Sequence, residues 1–565
     1  MKKFFIIALA AVALLSTSCD GLLEEENFGN PTIEEMMQNE ENIILLVGQV
    51  YAEVKWVHDH WGYWGVSSLT SDECVCPVRV PGEHWADGGY WKRLNTHGWD
   101  SFADAFKNIW NSTISGAILC NKLLNTLDTY KANMSEEVYL QYRGELEVMR
   151  SYYYYLLFDC FGRIPYLEKF EDVTEPLMEP EIVWSHLVAC LERNAPNLPA
   201  VTDDTRAQNY GRVTQGMAYA LLARLYLNAE SYGCTASNIK FPQGCNVKIN
   251  SVNDFYTNAV RCCDNVINSG SYSIEANYFD NFKILNENSR ENIFVIVENG
   301  SSETDMRYNG SMANKMRMIH LSLHYCHKDA WNMIEKPWNG FAARPNFIDL
   351  FDGKDVRGAG KGYGADTLGT MSDKQFAWFL GPVTDAQGNI LKDENKENAY
   401  VIQEIHSLDS ATWNDGARFC KYEVDKTKKY TWAENDYVLM RYADVLWMKE
   451  EAILRGGQGN SGFNSADFQT LKKRAFAYEK DPAAAYAAAY PDVLTLDKIC
   501  DERGREFSWE CIRRRDLIRF DKFETVQYVT ANEKSRRWFP IPFSVIEKAK
   551  RDENGNPIWT QNEGY

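Results

Sequence analysis

The sequence has no excess of positive charge. Its 565 residues contain 60 Lys and Arg against 79 Asp and Glu, which gives a formal net charge of -19 at pH 7. A protein that binds the phosphates of DNA or RNA needs a basic surface. The charge balance therefore argues against a nucleic-acid partner.

Long hydrophobic segments are also scarce. The N-terminal apolar run, residues 4–15, has 12 residues, which is too short for a stable transmembrane helix. It follows Lys2 and Lys3 and precedes small residues and Cys19, a pattern typical of a bacterial lipoprotein signal. We predict that residues 1–18 are a signal peptide and that Cys19 is lipidated, with ordinary secretion as the alternative. Residues 19–30 are then the lipidated cysteine and a solvated acidic tether.

Catalytic motifs are missing as well. The sequence contains no G-x-S-x-G nucleophile elbow, no P-loop and no G-x-G-x-x-G fingerprint after a strand. A glycosidase needs two carboxylates about 5–10 Å apart, and no local motif identifies such a pair. We therefore predict that the protein is not an enzyme and needs no cofactor.

The cysteines do not complete a disulfide framework. Of 14 cysteines, 13 remain when Cys19 is set aside, and this number is odd. Most of them fall in apolar helical segments, where a thiol packs as a small hydrophobic group. Cys234 and Cys245 flank a loop, and a bond between them stays open.

The sequence does contain several apolar helical segments. Residues 211–233 are predicted to form one helix, with Thr214 as its N-cap and Gly233 at its left-handed end. The segment has two apolar stripes, so it needs a neighbouring helix on each side. Residues 145–158 and 436–454 repeat the pattern at irregular spacing. We predict a mainly α fold, with a tetratricopeptide-like scaffold of about four helical hairpins.

Large insertions interrupt this scaffold near residues 58–100 and 271–433, where the helical period is weak. No low-complexity linker divides the chain. Residues 31–565 are therefore predicted to form a single domain with a large irregular, loop-rich half.

A charged helix is predicted over residues 497–523. It contains three consecutive arginines, residues 513–515, with carboxylates at helical spacings. We predict an ion-paired helix face, and the expected partners of the arginines are Glu506, Glu510 and Asp516.

Aromatic residues are abundant, at 13% of the chain, with 17 tryptophans. Aromatic rings on loops form flat apolar platforms, on which the C–H face of a sugar ring can stack. Taken singly, each loop tryptophan is expected to be a packing residue, but we expect at least one to contact a ligand. Five lie in the Gly-rich, non-helical stretch near the N-terminus: Trp61, Trp64, Trp85, Trp91 and Trp99.

Polar residues in the same stretch are candidates for binding hydroxyl groups. They are Arg79, His84, Asp87 and Asn95. A second aromatic group falls in the irregular insertion, and it comprises Tyr325, Trp331 and Trp338.

His320, His324 and His327 have the spacing of one helix face, which could bind a metal ion. No accompanying HExxH glutamate is present. We therefore predict no metal site, and assign these histidines to a polar surface or a ligand cleft.

Several tracts together resemble the signature segments of the SusD/RagB family, in the family's order. They cover nearly the whole mature chain, and many tracts in one order are more specific than any single one. The tracts are SSLTSDECVCPVRVPGEHWADGGYWKRLNTHGW, ELEVMRSYYYYLLFDCFGRIPYL, GRVTQGMAYALLARLYLNAESYG, RPNFIDLFDGKDVRG, DYVLMRYADVLWMKEEAIL, ERGREFSWECIRRRDLIRF, RWFPIPFSVI and TQNEGY.

The resemblance implies a surface lipoprotein of the outer membrane that binds glycan oligomers and hands them to a SusC-like TonB-dependent transporter. It implies four tetratricopeptide-like units and a sugar site formed by an aromatic arc from the N-terminal loop and the middle insertion. The acidic tether resembles the surface-export signals of such lipoproteins, although a plain linker is an equal alternative. The ligand-binding residues expected on this basis are Arg79, Trp85, Tyr325, Trp331 and Trp338.

Two other functions stay open at this point. A peptide or other nutrient receptor of the RagB type would use the loop tryptophans for packing only. A glycan-cleaving enzyme would need a catalytic pair that the sequence does not identify.

Overall fold

The computed structural model describes residues 32–170, 176–298, 315–363, 374–385, 387–393, 395–490 and 493–565. The predicted signal peptide, Cys19 and the acidic tether lie outside these residues. In the described part of the chain, the helices fall short of the length and apolar character needed to cross a bilayer.

Helices form most of the regular structure. They are α1 (Ile33–Met36), α2 (Glu40–Val57), α3 (Tyr63–Leu69), α4 (Tyr90–Asn95), α5 (Asp104–Thr129), α6 (Glu136–Phe161), α7 (Pro180–Asn194), α8 (Arg206–Asn209), α9 (Gln215–Leu227), α10 (Val252–Asn268), α11 (Arg317–Ser322), α12 (His327–Ala330), α13 (Pro345–Ile348), α14 (Tyr442–Leu454), α15 (Ala466–Ala475), α16 (Pro482–Ala489), α17 (Leu496–Glu506), α18 (Arg513–Arg519) and α19 (Phe543–Lys548).

The strands are short and pair two by two. They are β1 (Arg79–Val80), β2 (Asn292–Ile296), β3 (Trp378–Phe379), β4 (Gly381–Pro382), β5 (Val401–Ile402), β6 (Ala411–Thr412), β7 (Arg418–Phe419) and β8 (Tyr437–Arg441). β1 runs parallel to β6, whereas β2 with β8, β3 with β7 and β4 with β5 are antiparallel.

The long helices pack in a continuous row. α5 lies against α6, α6 against α7, α7 against α9, and the row continues through α10 and α14 to α17. The turn between α5 and α6 is short, and Gly116 lets them approach closely, since a Cβ there would lie 2.5 Å from the Tyr153 ring. The predicted mainly helical, tetratricopeptide-like scaffold is confirmed.

α9 has the inner position that its two apolar stripes predicted. Both stripes are buried, with Leu221 and Ala223 at 0% exposure, between α7 and α10. Thr214 caps the helix by accepting the Met217 N–H at 3.3 Å. The predicted end is wrong, because the helix stops at Leu227. Gly233, at φ 81°, instead follows a separate 3-10 turn.

Two other predicted helices are interrupted. In the segment 436–454, residues 437–441 form β8 because they pair with β2, which comes from the irregular insertion. Residues 497–523 form α17 and α18 instead of one helix. The break between them contains Trp509 and Cys511, both with a positive φ, which a continuous helix cannot accommodate. The structure also contains two short helices, α3 and α4, within residues 58–100, which were predicted to be non-helical.

The arginines 513–515 are ion-paired, as predicted, but their partners differ. Arg513 pairs with Asp72 at 2.7 Å, and Arg514 and Arg515 both pair with Asp159. All three side chains are buried, so this is a contact between distant parts of the chain and not a solvated helix face. The predicted carboxylate partners bind other arginines.

A larger buried ion network joins α15, α17, β2 and β8. Glu506 of α17 accepts hydrogen bonds from Arg441, Arg474 and Arg357 at 3.0, 2.6 and 3.1 Å. Glu291, beside β2, binds Arg441 and Arg474. Burial alone would raise the pKa of Glu506, but the three arginines hold it well below its ordinary value.

The 13 cysteines from Cys74 to Cys511 are free thiols, so Cys234 and Cys245 are not bonded. Within the described residues, no group of three or more His, Cys, Asp or Glu side chains is arranged to hold a metal ion.

The ion network predicts a strong dependence of stability on Glu506. We expect Glu506→Gln to lower the free energy of unfolding by about 3–5 kcal/mol, because three buried guanidinium groups each lose one of the carboxylates that balance their charge. Urea unfolding followed by far-UV circular dichroism measures this. Glu553→Gln, at an exposed position, is the control and should change stability by less than about 0.5 kcal/mol. Equal stability of the two variants would contradict the role given to the network.

Candidate functional site

An open cleft lies where the N-terminal loop meets the middle insertion. It has a volume of about 480 Å³. Its lining residues are His84, Trp85, Asp87, Tyr325, Lys336, Pro337 and Trp338. The structure thus brings together three of the five predicted ligand-binding residues, Trp85, Tyr325 and Trp338, from two segments far apart in sequence.

A strained loop positions Trp85. Its φ is 66°, and Glu83 and Asp87 also have positive φ values, a conformation that costs free energy in residues other than glycine. The indole Nε1–H donates to the Trp338 carbonyl at 3.2 Å. The ring packs against Gly340, where a Cβ would lie 2.6 Å from it. Only glycine at position 340 leaves room for this placement of the half-buried ring.

Trp338 is held from behind by α11. Its main-chain N–H donates a hydrogen bond to the main-chain carbonyl of His320 at 2.7 Å. The Arg317 guanidinium lies 5.1 Å from the indole centroid, and the Tyr430 ring meets it edge-on at 6.2 Å. A cation over an aromatic face is an attractive contact, so Arg317 helps to fix the ring at the cleft.

Tyr325 lines the cleft in contact with a lysine and a tryptophan. The Lys336 ammonium is 4.5 Å from its ring centroid. The ring of Trp413 is 5.0 Å from it on another side. Burial raises the pKa of Tyr325, and the positive charges of Arg79 and Arg418 oppose this rise.

The sequence analysis missed Trp413. Its half-buried ring lies 5.0 Å from both Tyr325 and His84, so it extends the aromatic surface beyond the cleft. The indole Nε1–H donates to the Pro81 carbonyl at 3.2 Å. The criterion applied to the other tryptophans, an aromatic residue in non-helical sequence, would have identified it. Trp413 lies in a turn of the irregular insertion, before Asp415 and Gly416.

Arg79 is buried behind the cleft, at 1% exposure. Its guanidinium donates to the carbonyls of Thr412 and Asp415, both at 2.9 Å, and of Gly340 at 2.9 Å. Arg418, at 0% exposure, donates to the Trp413 and Asp415 carbonyls at 2.9 and 2.8 Å. The two arginines clamp the loops that hold the aromatic residues, and as placed Arg79 does not line the cleft.

Trp331 lies apart from the lining. Its half-buried ring packs edge-on against His327 at 4.5 Å. The three histidines do not share one helix face, because α11 ends at Ser322. Burial lowers the pKa of His320 to about 4 and that of His327 to about 3, so both are neutral near pH 7. They are core residues of the insertion and not a polar surface.

The other tryptophans of the N-terminal stretch are packing residues, as expected for each one taken singly. Trp64, Trp91 and Trp99 are buried, at 0%, 1% and 2% exposure, and Trp61 packs on Trp91. Asn95, a candidate for hydroxyl binding, is also buried. It accepts the Cys76 N–H and donates to the carbonyls of Leu69 and Cys74, so its amide holds the loop and is not free for a ligand.

Two family models match the chain. The one described as the SusD family matches residues 290–537, and the one described as "Starch-binding associating with outer membrane" matches residues 78–227. The chain belongs to the SusD/RagB family. The cleft of this SusD-family protein draws Tyr325 and Trp338 from the first matched region and Trp85 from the second.

Known relatives agree with this assignment. Starch-binding protein SusD of Bacteroides thetaiotaomicron is 24% identical over 467 residues, which cover 76% of this chain and 74% of that protein. The structure of surface glycan-binding protein A from B. thetaiotaomicron in complex with laminarihexaose matches with a TM-score of 0.66 and 21% identity, covering 92% of this chain and 99% of that one. Surface glycan-binding protein A from Bacteroides fluxus matches with a TM-score of 0.66 and 18% identity, covering 93% and 100%. At these identities the structures show a shared fold.

The contact between Trp85 and Gly340 gives a structural prediction. We expect Gly340→Ala to push the Trp85 ring out of its place and to lower stability by about 1–3 kcal/mol, because the new methyl group overpacks the site. A crystal structure and a thermal unfolding curve of the variant measure the two effects. Gly48→Ala adds a methyl group in open space on α2 and serves as the control. An unmoved Trp85 in Gly340→Ala would show that the ring is not held by this contact.

Proposed function

We propose that this SusD-family protein captures an oligosaccharide at the cell surface and delivers it, uncleaved, to a SusC-like TonB-dependent transporter. The observation that carries the proposal is the cleft where Trp85, Tyr325 and Trp338 meet. Their rings offer apolar stacking surfaces, and His84, Asp87 and Lys336 offer polar contacts at the edges.

The names of the relatives support a glycan ligand. One relative is described as starch-binding, and one matching structure contains laminarihexaose. The cleft offers the same class of surface, since aromatic rings can stack on the C–H faces of sugars in either glycan. We expect Trp413 to extend this surface, so that a chain of several sugar units binds better than a single sugar.

The lining favours binding over cleavage. Asp87 is the one carboxylate among the described residues that line the cleft. A glycosidase of the common type needs a pair. Asp87 is also engaged, because its carboxylate accepts the Trp91 Nε1–H at 2.5 Å. Release of sugars by the pure protein would contradict this part of the proposal.

The membrane attachment belongs to the same proposal. Removal of residues 1–18 and lipidation of Cys19 would tether the protein to the outer membrane, with the acidic segment as a spacer. A tether beside the transporter raises the effective concentration of captured ligand. The anchor thus explains how a cleft of modest affinity can supply an uptake system. Mass spectrometry of the N-terminal peptide would detect the lipid.

The stacking surface predicts the effect of removing single rings. We expect Trp85→Ala and Trp338→Ala each to weaken glycan binding about tenfold or more, because each deletes a central aromatic contact. Affinity electrophoresis against a polysaccharide panel, followed by isothermal titration calorimetry, measures the loss. Phe102→Ala, which removes an exposed ring at another place, is the control.

Three outcomes separate the possible functions. Loss of binding in both cleft variants, with the control unchanged, supports the proposed site. Equal binding by all variants would mean that glycan binds elsewhere. If no glycan binds the parent protein, the site proposal fails and the peptide receptor of the RagB type becomes the better hypothesis.

Delivery is tested in cells. We expect deletion of the gene to reduce uptake of the bound oligosaccharide when it is scarce, and to matter less when it is abundant, because capture limits uptake only at low concentration. A radiolabelled-oligosaccharide uptake assay measures this. Complementation with Cys19→Ala tests the anchor. Undiminished uptake in the deletion strain would exclude the delivery role.

A further inference from the structure

Two buried cations behind the cleft have no bound carboxylate. Arg79 and Arg418 donate their hydrogen bonds to main-chain carbonyls, and the Nε of each is buried without a hydrogen-bond partner. In the part of the chain that the structure describes, neither guanidinium forms a salt bridge. The carboxylate of Asp415 lies near them but accepts its hydrogen bonds from Thr412 and Gln403.

A third cation lies at the cleft surface. Lys336 is exposed, and its ammonium rests over the Tyr325 ring. Among the described residues, no carboxylate pairs with it. The nearby lining carboxylate, Asp87, is engaged with the indole of Trp91. Lys336 is therefore the cationic side chain of the lining that remains available for a ligand.

The three positive charges act on the same region. Burial lowers the pKa of His324, and Arg418, Arg79 and Lys336 lower it further. His324 neighbours Tyr325 in the chain, and their rings lie 6.0 Å apart. The positive charges of Arg79 and Arg418 also act on Tyr325, which lines the cleft, although the chain as a whole carries a net charge of -19.

A buried charge that forms no direct ion pair is costly. An anionic group bound near Tyr325 would offset this cost and would pair with Lys336. We propose that the cleft selects oligosaccharides that carry anionic groups, carboxylate or sulfate, and that Lys336 contacts the anion. This inference rests on the proposed glycan-binding function and specifies the class of its ligand.

Matched ligand pairs test the inference on the full mature chain. Hexagalacturonate and its methyl ester differ at the carboxyl groups, which are anionic in the first and neutral methyl esters in the second, and sulfated and unmodified laminarihexaose differ only in sulfate. By isothermal titration calorimetry, we expect the charged member of at least one pair to bind about tenfold tighter, as for a charge-assisted hydrogen bond. The pair that shows the difference identifies the anion as carboxylate or sulfate.

Variants of Lys336 connect the preference to this residue. Lys336→Gln should clearly reduce the difference between charged and neutral ligands, because only the buried charges of Arg79 and Arg418 remain, whereas Lys336→Arg should keep it in full. Lys122→Gln, at an exposed position on α5, should leave it unchanged. Because Lys336 is exposed, we expect these variants to fold, and circular dichroism checks this.

Failure of the anion preference, of the assignment to Lys336 and of glycan binding itself would each give a different result. If neutral ligands bind the parent as tightly as their charged partners, the anion preference is wrong and the glycan-binding function stands. If a charged ligand is preferred but Lys336→Gln keeps the preference in full, the assignment to Lys336 is overturned. If none of these ligands and no polysaccharide of the wider panel binds, the glycan-binding function itself fails, and the inference with it.

Discussion

Burial of arginine and glutamate side chains in mutual contact is the constraint on which the structure depends. Glu506, Arg441 and Arg474 come from a helix, a strand and another helix, and their charges are satisfied only when these elements meet. Removing one partner would leave a buried charge without compensation, which is far more costly than losing a surface pair. The network therefore fixes how α15 and α17 pack against β8. The same packing places the irregular insertion, which contains β2, beside the helical row.

The cleft depends on a different use of arginine. Arg79 and Arg418 bind no carboxylate among the described residues and satisfy main-chain carbonyls from separate loops. Loops with little secondary structure have many such carbonyls to satisfy. Two buried guanidinium groups, each with several donors in a fixed plane, can satisfy them at once. The loops near Trp85, Trp338 and Trp413 are in this way held together without a large sheet.

Local features could be predicted from the sequence, and contacts between distant segments could not. The cap at Thr214 and the buried stripes of α9 depend on neighbours within a few residues, and both were found. The start of the segment 436–454 is wrongly predicted as helix because its strand partner, β2, lies far away in the chain. The prediction of Trp85 and Trp338 rests on their being aromatic residues in non-helical sequence and on the family resemblance, which implies an aromatic arc from these two regions. The burial of Arg79 could not be foreseen, since its partner carbonyls belong to loops at Gly340 and Thr412.

The clamp has a consequence for how such a protein can change its ligand over evolution. Arg79 and Arg418 recognise carbonyl oxygens, which every amino acid possesses, so their hydrogen bonds at position 413 do not depend on which side chain is carried there. A substitution that exchanges one ring for another on these loops leaves the hydrogen bonds of the clamp intact. The residues that support the shape of the cleft are therefore different from the residues that determine its ligand. New ligand specificities are thus accessible through single side-chain changes.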